Sequence, residues 1–348
     1  MAPCFPINFG SSHLSPHSAL GCWPSTRPPS RCGRLTAGAQ LLDAGDLADL
    51  LLIAGHAGTA PVWPGLTGSD LAGSIMAKID EYPFGKLTIQ LHAVTTDPPA
   101  PHPHIAPNVP ADFRILGVGA AVDPPDAASF LTAMWPVSSS EWDVAAKDHI
   151  VPSPARVTAF CVAASNIGGN DYFIAQDTTP APEPHPEADA VLPAGFVLVG
   201  GGARVNWNPA TDAGSLLYAS RPGTGQSWHA AAKDHMIPSP ATVTAFAIGL
   251  SRRFLDDAGL TVVRMRAESM TQVASPEASC GVNDAAATLI AGGAETHWSG
   301  PGSLLTQSGL MPSAAGPRPW LWAARGTEHQ APDPSTVTSW ALALVAYR

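Results

Sequence analysis

The sequence predicts an all-β protein in which three tandem copies of one unit, each about 86–94 residues long, close into a pseudo-threefold, β-prism-like domain behind a short helical segment. Three observations lead there. Glycine (32) and proline (36) are frequent among the 348 residues. Proline removes a backbone donor and glycine weakens regular elements, so long helices are excluded and short strands joined by turns are favoured. The second observation is a sentence written three times: "EWDVAAKDHIVPSPARVTAFCVAA" (141–164), "SWHAAAKDHMIPSPATVTAFAIGL" (227–250) and "PWLWAARGTEHQAPDPSTVTSWALAL" (319–344). The third is number and length. A trefoil needs copies of about half this size and a propeller needs four or more blades, whereas three sheets around an axis fit.

The elements follow in chain order. Residues 1–40 are rich in Pro, Ser and Arg and lack periodicity, so they read as a disordered leader. They show no charged n-region and no apolar h-region, hence no clear signal peptide. In 41–85, "LLDAGDLADLLLIAG" has helical apolar spacing, and "TGSDLAGSIMAKIDEYPFG" offers Ser69 and Asp70 as caps and stops before Pro83. Two short helices are expected there. The threefold domain is 86–348, with copies 86–169, 170–259 and 260–348 that open on "KLTIQLHAV", "DYFIAQDTT" and "LTVVRMRAE". Four or five strands are expected per copy. A glycine-interrupted strand follows ("FRILGVGAAVD", "FVLVGGGARVNW", "ATLIAGGAETHW"), where glycine marks a bulge or the close approach of another backbone. The last strand of each copy, such as "ATVTAFAIGL", is apolar on both alternating faces and so is expected to be buried on both. Pro-x-Pro belongs in the turn before it.

Composition excludes some functions. A formal net charge of −10 repels phosphate backbones and gives no basic patch for anionic lipid, so no nucleic-acid partner is expected. No apolar run reaches the roughly 18 residues of a transmembrane helix. The five cysteines are scattered, with no C-x-x-C pair and no zinc spacing; Cys161 stands where the second copy has Ala247 and reads as a small buried hydrophobe.

The repeated anchors are Trp142, Trp228 and Trp322, then Lys147-Asp148-His149, Lys233-Asp234-His235 and Thr327-Glu328-His329, all separated by 86 and then 94 residues. In one reading the acid caps the turn before Pro-x-Pro and the histidine packs on it. In another, each copy binds a sugar: the tryptophan stacks on the apolar ring face while Asp and Lys bond hydroxyls. In a third, an acid–histidine pair acts as general base in a polysaccharide hydrolase or lyase. No G-x-S-x-G elbow accompanies it. The loss of Lys in copy three favours scaffolding for the acid–His pair and ligand contact for the Trp–Lys pair. Metal ligation was sought in "APHPHIAP" (His102, His104) and "PEPHPEAD" (Glu183, His185, Glu187), where i and i+2 share a face. The proline context favours a polyproline turn with solvated histidines. No metal and no cofactor are expected, and "LVGGGARV" lacks the Lys-Ser/Thr of a phosphate loop.

The order Gly-rich strand, Trp, Lys-Asp-His, "PSPATVTAFAIGL" resembles triple-repeat domains of secreted bacterial and fungal proteins. It is broadly similar to β-prism modules of the vitelline membrane outer layer protein type and to the prism that follows the pore-forming domain of some perforin-like toxins. The resemblance covers 86–348. Copy three departs from it with Ala291 for Gly and Gly326-Thr327-Glu328 for Ala-Lys-Asp. It implies an extracellular, non-catalytic module that binds a glycan or glycoconjugate. The candidate ligand contacts are then Trp142, Lys147, Asp148, His149, Trp228, Lys233, Asp234, His235, Trp322, Glu328 and His329.

Overall fold

The computed structural model describes residues 76–124, 128–207, 214–282, 284, 286–313 and 320–347. The disordered leader expected over 1–40 and the helix expected after it lie outside the described residues. The second expected helix is corrected. Ala77–Phe84 is a strand, β1, paired antiparallel with β2 (Leu87–Thr95) through the turn at Gly85, whose φ of 60° suits glycine. Its sequence AKIDEYPF meets a neighbouring strand edge, and β1 lies at the end of its sheet, where the missing donor of Pro83 breaks no inner ladder.

Each copy contributes six strands, more than the four or five expected. The first copy holds β2, β3 (His104–Ile105), β4 (Phe113–Asp123), β5 (Ser129–Pro136), β6 (Trp142–Asp148) and β7 (Arg156–Ser165). The second holds β8 (Tyr172–Thr178), β9 (Glu187–Val191), β10 (Phe196–Asn206), β11 (Ser215–Pro222), β12 (Ser227–Asp234) and β13 (Thr242–Ser251). The third holds β14 (Leu260–Glu268), β15 (Glu277–Cys280), β16 (Ala287–His297), β17 (Leu304–Pro312), β18 (Trp320–Thr327) and β19 (Thr336–Ala346). The extra strands are β3, β9 and β15. The first two form in or beside the segments read as polyproline turns, and each of the three finds an open edge on the strand that carries the repeated tryptophan.

Three sheets result: β1-β2-β7-β4-β17-β18-β15, β8-β13-β10-β5-β6-β3 and β14-β19-β16-β11-β12-β9. Each joins the first, sixth and third strands of one copy to the fourth, fifth and second strands of another. Copy one lends its second, fourth and fifth strands to copy two, copy two to copy three, and copy three back to copy one. The joints are in register: Ala203 faces Met134, Ala294 faces Ser220 and Ala120 faces Ser308. No copy therefore completes a sheet by itself. The sixth strands β7, β13 and β19 lie inside their sheets and are buried on both faces, as their two-sided apolar pattern requires.

The glycine-rich strands carry equivalent bulges, at Ile115/Gly117, Leu198/Gly200 and Leu289/Ala291. They bring Gly117, Gly200 and Ala291 together. A Cβ on Gly117 would lie 2.6 Å from the Cβ of Ala291, so two glycines are needed once the third position is alanine. Phe130, Leu216 and Leu304, the equivalent second residues of β5, β11 and the start of β17, form their own fully buried cluster. A seven-residue helix, α1 (Arg252–Ala258), joins the second copy to the third. Ser251 Oγ accepts from Phe254 N–H (3.1 Å) and Gly259 ends the helix in the left-handed region.

Candidate functional site

The repeated tryptophans are core residues. Trp142, Trp228 and Trp322 are 0–1 % exposed, so the sugar-stacking role expected of them is corrected: no face of the indole reaches solvent. Trp228 lies against Gly201 and Trp322 against Gly292, where a Cβ would collide with the ring. The Nε1–H of Trp228 donates to Ser220 Oγ (3.1 Å) and that of Trp322 to Ser308 Oγ (3.0 Å). Copy one has Met134 at that register position, and Trp142 Nε1 is left without a partner.

The acids close the loops that follow β6, β12 and β18. Asp148 Oδ2 accepts from Ser153 N–H (3.1 Å), Asp234 Oδ2 from Ser239 N–H (2.8 Å) and Glu328 Oε2 from Asp333 N–H (2.9 Å). Ser153 and Ser239 then accept from the backbone of Ala128 and Gly214, while Asp333 accepts from Ser299, Gly300 and Ser303. Among the described residues, no acid bonds the histidine that follows it. The acid–histidine general base is therefore not assembled in any copy.

The histidines turn inward instead. After each, the chain makes a γ-turn: Val151, Ile237 and Ala331 donate to the carbonyls of His149, His235 and His329 (2.7, 2.6 and 2.6 Å). The central residues Ile150, Met236 and Gln330 take φ values of 64°, 60° and 57°. Positive φ is costly for a β-branched residue such as Ile150. The result is a cluster of three imidazoles, one per copy, with ring centroids 4.7, 5.3 and 5.6 Å apart. His149 and His235 are buried and His329 is half-buried. Beneath them lies the apolar cluster, with Phe130 5.2 Å from the His329 ring. Burial, reinforced by the neighbouring imidazoles, pushes the His149 pKa down to about 3. Burial lowers His235 and His329 as well, although carbonyl acceptors oppose it. All three are neutral at neutral pH.

The lysines lie at the seams between copies. Lys147 Nζ stands 5.0 Å from the ring centre of Trp207, and Lys233 Nζ 4.1 Å from that of Trp298. Lys233 is 0 % exposed and donates to Gly300 O (3.0 Å); burial brings its pKa down to about 8. Both pairs run from one copy to the next. At the third seam the corresponding residues are Thr327 and Pro124, so lysine and tryptophan are lost together. The missing lysine of copy three reflects its neighbour, and buried Lys147 and Lys233 are withdrawn as ligand contacts.

Beside the seam tryptophans stand exposed His102 and His185, which sequence reasoning did not single out as part of one site. His102 approaches Trp207 edge-on (6.2 Å) and pairs with Asp148 (3.3 Å). His185 and Tyr218 approach Trp298 (5.3 and 5.6 Å). His104 pairs with Asp143 (3.0 Å) rather than with His102. Trp207 and Trp298 were visible as equivalent positions at the ends of the glycine strands. The histidine cluster was visible as one residue kept in all three copies, but its members are 86 and 94 residues apart, beyond any local ligand spacing. Cys161 and Cys280 are buried free thiols, and burial raises both. Among the described residues no helix is long and apolar enough to cross a membrane. Compared with known proteins, the chain matches no family model and no curated protein.

Proposed function

We propose that the chain is a non-catalytic binding module folded as a pseudo-threefold β-prism, and that it recognises a glycan or glycoconjugate at two equivalent seams. The cyclic exchange of half-sheets among the three copies supports the fold. The binding sites move from the buried Trp142, Trp228 and Trp322 to the half-exposed Trp207 and Trp298. One observation carries the reading. An indole, an exposed imidazole and a carboxylate meet at Trp207–His102–Asp148, and an indole and an exposed imidazole meet at Trp298–His185. At the third seam Pro124, Ser275 and Thr327 stand instead. A clasp between copies needs only the lysine and the indole; the exposed histidines serve a ligand. An apolar ring edge flanked by donors and acceptors is what a pyranose presents a need for. Such a ligand places the protein outside the cell, as the resemblance implies.

A glycan array probed with the full chain tests this. Trp207→Ala and Trp298→Ala should each weaken binding to an immobilised hit, and the double variant should abolish it, because two sites act with avidity. Pro124→Ala at the third seam should change nothing. An array without hits, or a hit indifferent to both tryptophans, refutes the reading.

A further inference from the structure

We propose that His149, His235 and His329 form a tris-imidazole site for one divalent transition-metal ion of the zinc class, held on the axis by one ligand from each copy. The site is separate from the two seams and does not depend on the glycan reading.

Geometry comes first. One nitrogen of each ring lies within 4.8 Å of the others. Around an ion with metal–nitrogen distances of about 2.0–2.1 Å, three tetrahedrally disposed donors sit roughly 3.4 Å apart and their ring centres roughly 5 Å apart. The observed ring centres, at 4.7, 5.3 and 5.6 Å, already stand at that spacing. Binding requires the nitrogens to close from within 4.8 Å to roughly 3.4 Å of one another.

The hydrogen bonds select the donors. His235 Nδ1–H points at Pro301 O (2.6 Å), which leaves the lone pair on Nε2, a buried atom without a partner. His329 Nε2–H points at His149 O (3.2 Å), which leaves the lone pair on Nδ1. The fully buried His149 makes no full hydrogen bond at either ring nitrogen, although the His235 backbone carbonyl lies near enough to oppose the fall of its pKa. A backbone carbonyl that fixes the tautomer and aims the other nitrogen is how ligating histidines are held. Imidazoles that merely packed would stand where leucine could, as it nearly does in the layer beneath, and would leave buried His235 Nε2 without a full hydrogen bond. Neutral imidazoles are the protonation state that binds metal, and three nitrogens without thiolate or carboxylate suit zinc, copper or nickel over calcium or magnesium. Half-buried His329, followed by Gln330 and Ala331 rather than the bulkier apolar pairs of the other copies, gives the ion a way in and leaves the fourth position to water. Because each ligand belongs to a different copy, the ion ties the three together.

Titration of the full-length, tag-free chain with ZnCl2 by calorimetry tests the site, and Co2+ supplies a visible spectrum. One ion per chain, the absorption bands of tetrahedral Co2+ and a rise in the thermal midpoint are expected. His149→Gln and His235→Gln should each weaken binding beyond the roughly 10–100-fold that loss of a supporting group costs. The surface variant His104→Asn should leave it unchanged. Loss of binding in that surface variant, or wild-type affinity in His149→Gln, overturns the proposal. If the axial variants fail to fold, X-ray absorption of the wild-type zinc complex decides: three imidazole donors support the site, and fewer overturn it. Absence of saturable binding overturns it outright.

Discussion

Lys233→Met tests whether the seam lysines are clasps that operate against their own desolvation. Lys233 is fully buried, its ammonium 4.1 Å from the Trp298 ring centre and bonded to Gly300 O. Burial moves its pKa from the usual 10.5 to about 8, with Asp333 opposing the shift. A depressed folded-state pKa means that between pH 8 and 10.5 the unfolded chain binds more protons than the folded one. Stability then rises with pH across that window. At about 1.4 kcal/mol per pH unit, the contribution is on the order of 3 kcal/mol, absent below pH 8 and complete above 10.5. Half-buried Tyr172 and buried Tyr218, Cys161 and Cys280 act oppositely, since their folded pKa values are raised and they favour the unfolded chain at alkaline pH. The measured quantity is therefore the difference between wild type and Lys233→Met, in which those groups cancel. Methionine keeps the volume and discards the charge, so the two proteins should have similar urea midpoints near pH 7. The lost charged hydrogen bond, about 1.5–3 kcal/mol, is there offset by the desolvation it no longer incurs. From pH 8 to 10.5 the wild type should gain about 3 kcal/mol on the variant. Parallel stability curves across that range would refute the account. Lys233→Ala leaves a cavity as well and should cost roughly 2–4 kcal/mol near pH 7, and more above pH 8 as the wild type gains. Copy three manages with Thr327 because its seam offers no tryptophan, and that tolerance does not carry over to Lys233.

Two further outcomes follow from the loops and the core. Asp234→Ala removes the acceptor for Ser239 N–H and should lower stability by about 1–2 kcal/mol in urea unfolding, whether or not a ligand is found. Trp228→Phe and Trp322→Phe strand the hydroxyls of Ser220 and Ser308 and should each cost about 1 kcal/mol more than Trp142→Phe, whose N–H is already unpartnered; equal losses at all three would show that those hydrogen bonds add nothing.

Much of the strand architecture was legible because period and punctuation are local. The two-sided apolar runs of β7, β13 and β19 could only be inner strands, and glycine marked the bulges of β4 and β10, whereas the bulge of β16 lies at Leu289/Ala291, ahead of its glycines. Residues 77–84 were misjudged because the pull of a neighbouring strand edge is not written in their own spacing. The short strands β3, β9 and β15 were missed for the same reason: each is a few residues of extended chain until β6, β12 or β18 offers it an edge.

By itself, then, the sequence determined an all-β fold, its inner strands and which residue types recur at spacings of 86 and 94 residues. Tertiary structure alone decided which faces of those strands meet. It sent Trp142, Trp228 and Trp322 inward and gave Trp207 and Trp298 to the seams. It paired each lysine with a tryptophan of the next copy, and it turned three histidines into one cluster. A repeat specifies what each copy contains; the cyclic exchange of half-sheets places residues about 90 positions apart within a few ångströms of each other, and no spacing along a single copy encodes that distance.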